Sequence, residues 1–106
     1  MDPMQPTSIR FAAASAAIGR AARTQGVAPP AFRSPPGRRG AVRTIRRSPG
    51  GRTTVAVAIR QRPWSAVLAD MVEGVIVANR LAGPAADACR EALWSALEGD
   101  ARSHAA

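Results

Sequence analysis

The sequence predicts a small, single α+β domain, in which an N-terminal helix and a Pro/Arg-rich linker precede an antiparallel β-hairpin packed by two C-terminal helices. A chain of 106 residues has the length of one domain. Nearly all the apolar residues able to build a core lie between Thr53 and Leu97. Their pattern first alternates and then repeats at helical spacing, which indicates a strand followed by helices. We expect an N-terminal helix and flexible basic linker over 1–40, the α+β domain over 41–98 and a frayed tail over 99–106.

The first predicted helix covers residues 8–25, which are rich in Ala, the best helix former. Gly26 follows as a stop signal. At helical spacing, Phe11 and Ile18 share a thin apolar face, and arginines lie on the other side. This face favours a helix that docks loosely on the core, and the alternative is a helix that folds on a partner or an anionic surface. Residues 26–40 contain two Pro-Pro pairs and predict a polyproline linker.

A β-hairpin is predicted over residues 41–60, because a Pro-Gly-Gly turn precedes an alternating strand. We place the loop at Ser48–Gly51 and pair Arg47 with Arg52. Side chains alternate between the two faces of a strand, so this register separates an apolar face from a basic face. The apolar face then holds Val42, Thr44, Val55, Val57 and Ile59. The basic face holds Arg43, Arg47, Arg52 and Arg60.

Two helices are predicted after the hairpin. Residues 63–82 place their apolar side chains on one broad arc, and Pro63 suits the first turn of a helix. Gly74 and the β-branched run that follows it favour the alternative, a second hairpin that would complete a four-stranded sheet. We prefer the helix because Asp70 would sit badly inside a buried strand. Residues 84–98 predict the last helix, with alanines and leucines along one face.

The charge of the chain is divided unevenly between its two halves. All 15 basic residues are Arg. Residues 1–62 contain twelve of them and one acid, Asp2, for a net charge of +11, whereas residues 63–106 contain three Arg and six acids, for −3. Codon usage in a GC-rich genome would explain many Arg and Ala residues, but it would have placed Arg in both halves. The asymmetry therefore predicts a basic region that meets an anionic partner.

The sequence offers little catalytic chemistry. Cys89 lies on the apolar face of its predicted helix, where a thiol usually acts as a small hydrophobe. The single His104 is near the end of the chain, so neither a nucleophile–base pair nor a multi-ligand metal site is indicated. Asp70 and Glu73 are interpreted as a solvated helix face. No phosphate loop or dinucleotide motif occurs. We predict a protein that is not an enzyme and that needs no cofactor or metal.

Nucleic-acid binding is the predicted function, through phosphate contacts made by arginines. The predicted contacts are Arg33, Arg38 and Arg39 on the linker and Arg43, Arg47, Arg52 and Arg60 on the hairpin. Phe32 and Trp64 are the only aromatic residues near this region, so a platform for base stacking is not expected. Phosphate contacts alone do not distinguish DNA from RNA.

Protein interaction is the alternative function, as an accessory subunit or a homodimer. Trp94 lies near the middle of the polar face of the last predicted helix, and Trp is enriched at interface hot spots. The first helix would supply further contact area. The competing interpretation is that Trp94 covers the first helix or Phe32 within the same chain.

The stretch RPWSAVLADMVEGVIVANRL, followed by an Ala-rich helix containing EALWSAL, resembles small hypothetical proteins of high-GC actinobacteria. The resemblance covers roughly residues 30–98 and implies a bacterial, cytoplasmic setting, without an activity or functional residues to carry over. A cytoplasmic location also agrees with the single Cys and with the absence of an apolar run of the ~18 residues that a spanning helix needs.

Overall fold

A computed structural model describes residues 7–35 and 43–105 of the chain. The described residues form α1 (Thr7–Thr24), β1 (Ala31–Arg33), β2 (Arg43–Arg47), β3 (Thr53–Val57), α2 (Trp64–Ala78) and α3 (Gly83–Ala105). Three helices with one sheet confirm the predicted α+β class. None of the helices in this part of the chain combines the length and the apolar character required to cross a membrane.

The sheet has three strands in the order β1-β3-β2. The predicted hairpin is the antiparallel pair β2 and β3, but β1 adds a parallel strand on the other side of β3. This strand lies within the predicted linker 26–40, where Phe32 pairs with Val55 and packs against the core. The sheet is therefore mixed, and the proline-rich segment contributes to it.

The register of the hairpin differs by one residue from the predicted one. Ile45 pairs with Val55 and Arg47 pairs with Thr53, whereas the prediction paired Arg47 with Arg52. The reason is the loop, because Gly51 has a positive φ of 82° and the Ser48 N–H donates to the Arg52 carbonyl at 2.8 Å. This geometry makes a three-residue loop with a left-handed Gly, and an odd loop shifts the first strand by one position.

The shifted register reverses the faces of β2. Arg43, Ile45 and Arg47 lie on the same side of the sheet as Val55 and Val57. The predicted basic face, with Arg43 and Arg47 turned away from the apolar side, is therefore wrong. Ile45 is the largest apolar residue of β2, and its packing against the core stabilises this register.

Helix α2 covers the Val55 side of the sheet. The predicted helix over 63–82 is present over Trp64–Ala78 and ends before residues 79–82, so the second hairpin was the wrong alternative. The helix approaches the sheet closely at Gly74, since a Cβ added there would lie 2.7 Å from Val55 Cγ1. Gly74, which favoured a second hairpin in the sequence, therefore allows α2 to pack closely on the sheet.

The core lies between the sheet and the three helices. Ile18 of α1, Met71 of α2 and Leu93 of α3 are completely buried, and α1 packs against α3. Cys89 is 2 % exposed, which confirms its predicted place in the core. The predicted stop at Gly26 is confirmed, with φ of 76°. Helix α3 continues to Ala105 and so includes most of the predicted tail 99–106.

Candidate nucleic-acid interface

The side of the sheet opposite α2 presents arginine and threonine to solvent. Arg33 of β1 and Thr44 of β2 flank Ala56, and Arg46 of β2 lies beside Thr54. Both arginines and Thr44 are exposed, and all five residues line one shallow groove. No helix of the described residues covers this surface, which we call the open face.

The two arginines of the open face lie well apart. Arg33 and Arg46 lie diagonally across β3, two strands and two residues apart. Strand spacing and rise place their Cα atoms about 12 Å apart. This separation suits contacts with two separate phosphates better than a clamp on a single group.

A second basic surface adjoins the open face at the hairpin turn. Arg23 of α1 lines a cleft together with Arg47 and Arg52 of the hairpin. Arg47 also lines the groove of the open face, so the two surfaces are continuous. One guanidinium nitrogen of Arg47, Nη2, donates to the carbonyl of Ala78 at 3.3 Å, which ties the hairpin to the end of α2.

The structure brings together some of the arginines predicted to contact phosphate and separates others. Arg33 is on the open face, and Arg47 and Arg52 are at the cleft. Arg43 is half-buried on the Ile45 side of β2, while exposed Arg60 lies beyond the end of β3 that is remote from the turn. Arg38 and Arg39 fall outside the described residues.

Arg46 was not among the predicted contacts. The sequence could have indicated it, because successive side chains of a strand point to opposite faces. Arg46 follows Ile45 directly, so a strand that buries Ile45 turns Arg46 outward. Arg23 was also missed. Its place at the cleft depends on how α1 packs beside the hairpin turn, which is a long-range contact that local sequence patterns do not contain.

Other arginines are engaged within the chain. Arg62 donates to Asp70 at 2.6 Å, and Arg90 binds both carboxylate oxygens of Glu73, at 2.7 and 3.0 Å. The Arg10 guanidinium lies 4.3 Å from the centre of the Trp64 ring, a cation–π contact. These three arginines connect elements of the fold, so they contribute little free charge to a ligand.

Carboxylates are absent from the basic surfaces as far as the structure describes the chain. The acidic residues of the described ranges lie in α2 and α3, from Asp70 to Asp100. None of them lines the groove of the open face or the cleft. Within the same ranges, Arg23, Arg33, Arg46 and Arg52 have side chains without an ion pair or hydrogen bond. The positive potential of both surfaces is therefore uncompensated.

The chemistry of these surfaces is anion binding. Arg stays protonated in proteins, and the hydroxyls of Thr44 and Thr54 supply further hydrogen-bond donors. Cys89 lies elsewhere, in the core, where burial raises the pKa of its thiol and the positive charge of Arg90 opposes that rise in part. Within the described ranges, no three His, Cys, Asp or Glu residues gather where a metal ion could bind.

Trp94, the predicted contact for a protein partner, is half-buried and packs against the core. A partner at this residue stays a prediction. No protein-family model, curated protein or solved structure matches this chain.

Proposed function

We propose that this protein binds nucleic acid without catalysis, by phosphate contacts on the open face. The observation that carries the proposal is the pair Arg33 and Arg46, exposed on a sheet surface that lacks both a covering helix and a carboxylate among the described residues. Arginines that neutralise phosphates release condensed counterions, which supplies affinity independent of sequence. Thr44 and Thr54 add hydroxyl donors beside the two guanidinium groups.

The composition of the open face also supports backbone recognition over base recognition. Its groove is lined by Arg, Thr, Ser, Pro and Ala, without an aromatic side chain among the described residues. Base stacking needs aromatic or similar planar surfaces, so the bases contribute little. DNA and RNA share the phosphate backbone, and we propose that both bind.

The alternative, a protein-interaction subunit that uses Trp94 and α1, finds less support. Helix α1 packs against α3, and Trp94 packs against the core, so both have partners within the chain. The two arginines of the open face have none among the described residues. We therefore propose the polyanion as the ligand and keep the protein partner as the outcome to consider if nucleic acid does not bind.

The test is fluorescence anisotropy with a short duplex and a single strand at several salt concentrations. The variant Arg33→Gln/Arg46→Gln should bind the duplex more weakly and should lower the slope of log affinity against log salt by roughly 1.8, about 0.9 for each lost phosphate contact. Because neither side chain has a partner in the described fold, the unfolding midpoint should stay within error.

The matched control is Arg60→Gln/Arg102→Gln, which removes the same charge from exposed positions away from the open face. Arg60 was predicted from the sequence as a phosphate contact, so this control also compares the two assignments. The control should keep the wild-type slope. Equal weakening by both variants would mean that net charge alone attracts nucleic acid, and the open face would lose its assignment.

A further inference from the structure

We infer that the cleft at the hairpin turn, lined by Arg23, Arg47 and Arg52, binds a phosphate monoester, the doubly charged group found at the end of a nucleic-acid strand. The inference rests on the proposed function for the source of the phosphate. Arg23 and Arg52 line the cleft but not the open face, so variants of these two residues test the cleft by itself.

The cleft is bordered by four parts of the fold. Helix α1, the segment 28–31, the hairpin turn and the end of α2 each contribute a wall. The volume of the cleft is about 600 Å³, which lies within the range of small-ligand pockets. This space accommodates a phosphate group together with its sugar, whereas a flat surface would contact the phosphate from one side only.

The three guanidinium groups favour a double negative charge. Arg23 and Arg52 have no ion pair or hydrogen bond from their side chains in the part of the chain that the structure describes. Arg47 uses one nitrogen on Ala78 and keeps other N–H donors. A phosphate monoester carries about −1.5 to −2 at neutral pH, more than a backbone diester, so it gains most from three uncompensated arginines.

One wall of the cleft is held in place by a side chain of α2's C-terminal cap. Asn79 accepts a hydrogen bond from the Ala28 N–H at 3.0 Å and donates to the Ala28 carbonyl at 2.9 Å. The same amide donates to the Val75 carbonyl at 2.9 Å. Pro29 and Pro30 follow, so this wall has little conformational entropy to lose when a ligand binds.

The guanidinium group of Arg23 lies beside Gly19, one turn earlier in α1. A Cβ added at Gly19 would lie 3.7 Å from Arg23 Nη1, so this guanidinium group rests over Gly19. Gly is less favourable than Ala inside a helix. The missing side chain leaves space at the cleft, which Gly19 itself lines.

The experiment compares the same short single strand with a 5′-phosphate, with a 3′-phosphate and with hydroxyls at both ends, by anisotropy at fixed salt. The wild type should bind at least one phosphorylated strand about tenfold tighter than the hydroxyl strand. Arg23→Gln/Arg52→Gln should bring this ratio close to one. Arg33→Gln/Arg46→Gln, which removes the same charge from the open face, should weaken all three strands and keep the ratio.

Free phosphates distinguish failure of the inference from failure of the proposed function. If no strand binds, but a mononucleotide or inorganic phosphate raises the unfolding midpoint of the wild type and not of Arg23→Gln/Arg52→Gln, the cleft is supported and nucleic acid is rejected. A ratio of one for the wild type, without stabilisation by either free phosphate, overturns the cleft. Arg52→Gln alone provides a second variant, since it alters only an exposed side chain beside the turn.

Discussion

The two faces of the sheet are built from the same three strands and have opposite properties. One face carries Phe32, Ile45, Val55 and Val57 and packs against the core. The other carries Arg33, Thr44, Arg46 and Thr54 and meets solvent. Residues that are neighbours in the chain therefore belong to different faces, so a shift of one position exchanges a core side chain for a ligand contact. Changes to the apolar side chains of the covered face should alter stability and spare binding, and changes on the open face should do the reverse.

The largest effect expected on the covered face comes from Gly74→Ala. Helix propensity alone would make this change stabilising by about 1 kcal/mol. The new Cβ would lie 2.7 Å from Val55 Cγ1, however, and Val55 is completely buried. Overpacking a tight core costs typically 1–3 kcal/mol, and we expect a net loss of up to about 2 kcal/mol in the free energy of unfolding, measured with urea. Nucleic-acid affinity should not change while the variant is folded.

Gly99→Ala is the matched control, because Gly99 also lies within a helix but an added Cβ would meet nothing within 4 Å. It should stabilise the protein by up to about 1 kcal/mol. The double variant Gly74→Ala/Val55→Ala should lose less stability than the sum of its single changes, because the smaller Ala at position 55 makes room. Strict additivity would contradict the close contact between α2 and the sheet.

The helices were predictable because each signal is local. Ala-rich periodicity gives α1, and the apolar arc of 63–82 gives α2. The three-residue strand β1 was not predictable, since Ala31–Arg33 is too short to show alternation and its partners lie more than 20 residues away. The role of Gly74 in packing could not be predicted for the same reason, because it depends on a contact with Val55 in another element.

The charge asymmetry predicted that a basic surface exists, but not which arginines form it. Arg62 and Arg90 form ion pairs within the fold, because the fold places Asp70 and Glu73 within their reach. The face assignment failed because left-handed Gly51 closes a three-residue loop in place of the predicted four-residue loop, which reverses the parity of β2. A rule that buries the largest apolar side chain of β2 would have selected the observed register.

The register itself predicts the next largest effect, a difference between adjacent residues of β2. Ile45→Ala should cost about 1 kcal/mol of unfolding free energy, less than the 2–5 kcal/mol of a fully buried Ile, because this side chain is half-buried. Thr44→Ala should cost close to nothing, since Thr44 is exposed on the open face. Urea unfolding of both variants measures the difference. A larger loss for Thr44→Ala would restore the register in which Thr44 faces the core.

The smallest effect concerns Cys89 of α3, which lies in the core. Its thiol should react slowly with a water-soluble disulfide reagent in the folded protein and rapidly in urea, because the side chain is buried and the thiolate is the nucleophile. Burial raises the pKa of this thiol above its ordinary value of 9.0. The folded state therefore keeps a proton that the unfolded state loses at alkaline pH.

The sign of the pH effect follows from this difference in bound protons. Below about pH 9, where both states hold the proton, the contribution of Cys89 to stability is complete, and it declines as the pH rises through the ordinary pKa of 9.0 towards the higher folded value. Unfolding midpoints in urea at pH 7.5 and pH 10 measure the decline. Cys89→Ala should start less stable, because it leaves a small cavity, but should lose less between these two pH values. An equal alkaline loss in both proteins would assign it to groups other than the buried thiol.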